Sequence, residues 1–93
     1  MSDTPLRVVA AAVITADGVI HSMPPPARHH NIIHAMHMAR MPEATFIEAH
    51  GEQGFLLSDG TFAGRVRAGL LAIAARQIAQ LQYPPSLYSE DLW

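Results

Sequence analysis

Three consecutive prolines, Pro24, Pro25 and Pro26, partition this chain more sharply than any other feature. A proline ring fixes φ and removes a backbone donor, so no strand or helix runs through such a segment; it ends one element and delivers the chain to the start of the next. Before the prolines, residues 7–14 (RVVAAAVI) are apolar and partly β-branched, Ala16-Asp17-Gly18 is a turn signal, and residues 19–23 (VIHSM) form a second short run. This pattern predicts a β-hairpin. After the prolines a helix is predicted over roughly 27–40, ending before Pro42. Strands follow around 45–50 (TFIEAH) and 54–58 (GFLLS), with Asp59-Gly60 as a turn before Thr61-Phe62. A second helix is predicted over roughly 64–79, and the tail YPPSLYSEDLW is too proline-broken to start as a helix. The order β-β-α-β-β-α predicts an α+β fold, a small antiparallel sheet with two helices packed on one face.

At 93 residues the chain has room for one core, so residues 1–93 are expected to form a single domain. Hydrophobic residues make up 49% and charged residues 15%, more apolar surface than so small a core hides. A homo-oligomer, a dimer or an assembly of dimers, is therefore expected. The net charge of −2 argues against binding to duplex nucleic acid, which calls for a concentrated basic face. All six basic residues are arginine, each a planar fork suited to a phosphate or an aromatic face. With no cysteine, disulfides, thiolate metal sites and cysteine nucleophiles are excluded. The acidic start and the Asp17-Gly18 break fit neither a signal peptide nor a membrane span, so a cytoplasmic location without membrane contact is expected.

Four of the six histidines fall within residues 29–37. At 100° per residue, Ile32, Ile33, Met36 and Ala39 share one face with His29 and Arg40, while His30, His34 and His37 line the opposite stripe. Those three have a spacing at which imidazoles on a helix can converge on zinc, but no carboxylate or HExxH pattern accompanies them. A polar helix face is the expected role, with no metal and no other cofactor. His29, on the apolar side, reads as a core residue bonded to backbone or as part of a pocket wall. Arg28 falls in the first turn, where a cation opposes the helix dipole unless an anion or solvent compensates it.

In the second helix Val66, Leu70, Ile73, Ala74 and Ile78 form the predicted buried stripe, with Gln77 near its centre. A buried amide needs partners, either a sheet edge or tail backbone, or a ligand. Ala68, Ala72 and Ala75 then form an outward face between Arg65 and Arg76, smooth enough for a subunit contact.

Residues 53–78, QGFLLSDGTFAGRVRAGLLAIAARQI, and 87–93, LYSEDLW, preserve the spacing of a pattern written QGFxTSxGRFVxRxEAxxIAxxxGQI followed by LxSEDLW, and the RHH at 28–30 also fits. In these segments, about half of the chain, it resembles the phage anti-Thoeris sponge proteins. Those proteins sequester cyclic ADP-ribose isomers made by bacterial TIR-domain defence enzymes, and some hold cyclic oligonucleotides. Gly64 stands where the pattern has an acidic cap, Arg67 where it has glutamate, and Arg76 where it has glycine, so this helix is more positive than the pattern.

The resemblance implies a phage immune-evasion protein, cytoplasmic in the infected host, that binds a cyclic nucleotide signal without cleaving it. Sequestration needs no nucleophile or general base. It needs arginine forks, aromatic faces and acceptors for amines and hydroxyls. Arg28 and Arg65 are the candidate forks, Phe55, Phe62 and Tyr88 the candidate stacking faces, and His29, Gln77, Glu90 and Asp91 the remaining candidate contacts. As exposed cations the two arginines are expected to affect binding and hardly affect stability. The competing readings are a protein-binding inhibitor or structural oligomer using the alanine face, and a metal-dependent phosphodiesterase built on His30, His34 and His37.

Overall fold

A computed structural model describes residues 6–39, 41 and 52–93. The predicted strand at 45–50, Arg40 and Pro42 lie outside the described residues. The order β-β-α-β-β-α is present. Strand β1 (Val8–Ile14) turns into β2 (Ile20–Met23), helix α1 (His29–Met38) follows, then β3 (Glu52–Leu57), β4 (Phe62–Gly64) and helix α2 (Arg65–Ala74). A short 3-10 turn, Ser89–Asp91, lies in the tail. All pairings are antiparallel and the sheet order is β2-β1-β3-β4. Both hairpin turns use a glycine with positive φ, Gly18 at 86° and Gly60 at 85°, conformations that L side chains rarely adopt.

One face of the sheet carries Val8, Ala11, Val13, Phe55, Leu57 and Ala63, which join Ile32, Ile33 and Met36 of α1 in the core. The helical period places these large residues inward and leaves His30, His34 and His37 exposed, as predicted. Ala39, expected on the buried face, is exposed at the helix C-cap. Arg28 is the N-cap of α1 and not a first-turn residue, and its N–H donates to Asn31 Oδ1 at 2.8 Å.

Helix α2 is rotated relative to the sequence reading. Ala68, Gly69 and Ala72 are buried, whereas Val66, Leu70 and Ile73 are exposed by 49, 67 and 39%. The alanine face therefore meets the chain's own sheet and is not a surface for a partner. The reason lies in the tail. Leu87 is fully buried, and Ile78, Leu81, Leu92 and Trp93 pack around the same core, so little volume remains under α2 for large side chains. A Cβ at Gly69 would lie only 3.2 Å from Leu81 Cδ1, which shows how closely the tail approaches the helix.

The helix also ends earlier than predicted. Arg76 takes φ 59°, reversing the chain, and Gln77 N–H returns to Ala72 O at 2.9 Å. The Gln77 carboxamide then pairs with β1. It accepts from Val8 N–H and donates to Val8 O, both at 2.7 Å, where the β1–β3 register shifts between Val8 and Ala10. Of the two roles open to this amide, it takes the backbone one.

Candidate functional site

The tail brings α1, β3 and α2 together around one cleft. Arg28, His29 and His30 enter it from the start of α1, Gln53 from β3, Arg65 from the start of α2, and Tyr88, Ser89 and Glu90 from the tail; the cleft encloses about 210 Å³. Five of the nine candidate residues, Arg28, His29, Arg65, Tyr88 and Glu90, line it. His30, Gln53 and Ser89 were missed, although each lies inside one of the quoted segments RHH, QGF and SEDLW.

Both guanidiniums are tied to the tail. Arg28 Nη1 donates to Ser89 Oγ at 3.0 Å and to Glu90 Oε1 at 3.2 Å, and Nη2 donates to the Trp93 carbonyl. Trp93 Nε1 donates to Ala27 O at 3.1 Å, fastening the same corner from the other side. Glu90 is 58% exposed, so the ion pair contributes at most about 1 kcal/mol.

Arg65 is held more deeply. Its Nη1 donates to Leu87 O at 3.0 Å, Nη2 donates to Gln53 Oε1 at 3.2 Å, and its Cζ lies 4.6 Å from the centre of the Tyr88 ring. Burial lowers its pKa from the ordinary arginine value, opposed by Tyr88 and Glu90. The expectation of an exposed arginine with little structural weight is thus corrected for Arg65. Its side chain and its carbonyl, which accepts from Leu87 N at 3.0 Å, together fix the residue that fills the core.

His29 forms the back of the cleft. Its ring meets Phe55 edge-on at 5.1 Å, and Nε2 lies 2.6 Å from Gly54 O. A carbonyl only accepts, so Nε2 carries the hydrogen. Burial pushes the ring below the ordinary histidine pKa; the Gly54 bond opposes this, and the Arg65 charge adds to it. The ring is neutral at pH 7, leaving Nδ1 an acceptor.

The other four candidates lie elsewhere. Phe55 is fully buried in the core beneath His29. Phe62 covers the reverse face of the sheet: a Cβ at Gly54 would stand 2.6 Å from its Cζ, so the glycine makes room for the ring. Gln77 is bound to Val8. Asp91 shapes the tail by accepting from Tyr88 N at 3.0 Å and Gln82 N at 3.1 Å.

A larger hollow of about 380 Å³ lies between β2 and α1, lined mainly by Ile20, Met23, Ile32, Met36 and Met41 with His21. It contains none of the charged groups that converge on the smaller cleft. Among the described residues, no group of three histidine, aspartate or glutamate side chains is placed to hold a metal ion. No helix among them is long and apolar enough to cross a membrane.

A clustering of cations, an aromatic face and hydroxyl or carboxylate acceptors is suited to binding a polar anion. Within it the Ser89 hydroxyl donates to Glu90 Oε1 at 3.3 Å. No curated protein and no solved structure matches the chain. A family model described as phage T4 y16D protein matches residues 7–93, nearly the whole length, and on that match the chain belongs to this family of small phage proteins.

Proposed function

We propose that this phage protein binds a cyclic nucleotide signal in the Arg28–Arg65 cleft and sequesters it uncleaved, blocking a TIR-based Thoeris-type bacterial defence. The observation that carries the reading is the convergence of two guanidiniums, a neutral histidine acceptor, an aromatic ring and a carboxylate on one cleft from three separate parts of the chain. The likeness to the anti-Thoeris sponges over residues 53–78 and 87–93 supplies the ligand class, a cyclic ADP-ribose isomer or a cyclic oligonucleotide.

The chemistry is recognition alone. A guanidinium has five N–H donors, and protein acceptors take two of those on Arg65, leaving donors for a phosphate oxygen. Glu90 and the His29 Nδ1 accept from ribose hydroxyls or a base amine. The cleft is smaller than the roughly 300 Å³ at which ligand pockets usually begin, so it suits a phosphoribose portion and leaves the rest of a cyclic nucleotide to be covered from outside.

The test is calorimetric titration with cyclic ADP-ribose isomers and cyclic di- and trinucleotides, followed by denaturation and chromatography of the ligand. Binding with intact recovery is expected. Arg28→Lys, which keeps the charge but not the two-pronged geometry, should weaken binding by about tenfold, equivalent to roughly 1.4 kcal/mol. Recovery of a hydrolysed product would replace the sponge by an enzyme, and silence across the panel would replace it by a protein-binding role.

A further inference from the structure

The outward face of α2 is apolar where a solvated helix face would be polar. Val66, Leu70 and Ile73, spaced by four and three residues, form one ridge, with Leu70 the most exposed at 67%. Tyr83, 65% exposed, belongs to the loop whose Leu81 lies against Gly69 of the same helix. Since the alanine face is already used on the sheet, this ridge is the surface of α2 that remains to be covered.

We infer that a second copy of the chain covers it, through a two-fold axis at Leu70 that sets the two α2 helices antiparallel. Reversal about Leu70 brings Val66 of one copy against Ile73 of the other, because the two residues are nearly equidistant from the centre. The ridge is therefore self-complementary, as an isologous interface requires. Charge selects the same arrangement. The first turn of α2 has Arg65 and Arg67 with no acid, and its last turn has no basic residue. Cations there oppose their own helix dipole. In the antiparallel pair, Arg67 meets the negative end of the partner helix, a compensation that a parallel pairing does not give. Arg76 lies past the end of α2, where φ 59° reverses the chain, and so is not on the helical face that carries Arg67.

The chain has no cysteine, which makes the geometry directly readable. Leu70→Cys, oxidised in dilute solution, should run as a covalent dimer on a non-reducing gel and return to a single chain with dithiothreitol. Val66→Cys and Ile73→Cys should each cross-link weakly alone and strongly when mixed. By light scattering at micromolar concentration the parent should have at least twice the chain mass, and Leu70→Asp should lose half or more of it with an unchanged circular dichroism spectrum. A monomeric parent overturns the inference, as does a folded Leu70→Asp chain that keeps the parent mass. If Leu70→Asp does not fold, the cross-linking decides: failure of Leu70→Cys to form the dimer overturns it. None of these readouts needs a nucleotide, so the interface and the ligand reading fail separately.

Discussion

Helices α1 and α2 are both ten residues long and pack on the same sheet, yet they bury opposite kinds of surface. Helix α1 turns its large aliphatic residues inward, following its period. Helix α2 turns Ala68, Gly69 and Ala72 inward, with Leu71 partly buried against the core, and leaves Val66, Leu70 and Ile73 outside. The difference is in what each helix shares its space with. The core beneath α2 already receives Leu87 and the tail side chains around it. Periodicity reports which residues share a helix face; the available volume decides which face goes in.

The comparison breaks most visibly at Leu87. Leu87→Ala should cost about 2 to 5 kcal/mol in chemical denaturation, as much as Ile32→Ala in α1, because both remove side chains from the same core. A cost near zero at Leu87 would mean that the tail is not what displaces the α2 aliphatics. Ala72→Leu sharpens the point from the other side: enlarging the inward face should destabilise by roughly 1 to 3 kcal/mol despite the gain in hydrophobicity. Gln77→Ala should cost about 1 to 3 kcal/mol, since it leaves both Val8 backbone groups without their partner. Leu70→Ala should change folding stability by no more than about 0.5 kcal/mol, measured at dilutions where copies are separate. Were its cost equal to that of Ile32→Ala, the face assignment of α2 would be wrong.

The smallest effect is a pH dependence. His29 has a lower pKa folded than unfolded, so the unfolded chain takes up the proton first as pH falls below about 6.5. The stabilisation is fully present at neutral pH and above. It declines with acid until the folded ring itself titrates. Denaturant midpoints between pH 7.5 and 5 should fall for the parent, and this component should vanish in His29→Gln.

The elements set by local chemistry were legible: the turn at Gly18, the proline break, the His29–Ile33–Met36 face and the order of strands and helices. The rotation of α2 was not, because it depends on a tail more than ten residues away whose burial no period announces. The cleft was legible in part for the same reason. Arg28, Arg65, Tyr88 and Glu90 stand in segments that the fold brings together; for Gln77 the sequence leaves a backbone and a ligand partner both open, and for Asp91 it carries no sign of the bonds to tail backbone. Nor does the aromatic character of Phe55 and Phe62 reveal which side of the sheet each one covers.

The late position of Leu87 has a consequence for biosynthesis. Val8 is the first described core residue to be made and Leu87 the last, and the bonds that set the latter, to Arg65 and through the Arg28 corner, span 22 to 66 residues. A nascent chain stopped just after α2 contains the sequence of the sheet and both helices but lacks the Leu87 side chain that fills the space between them. Native packing of this core is therefore completed only once Leu87 has been synthesised.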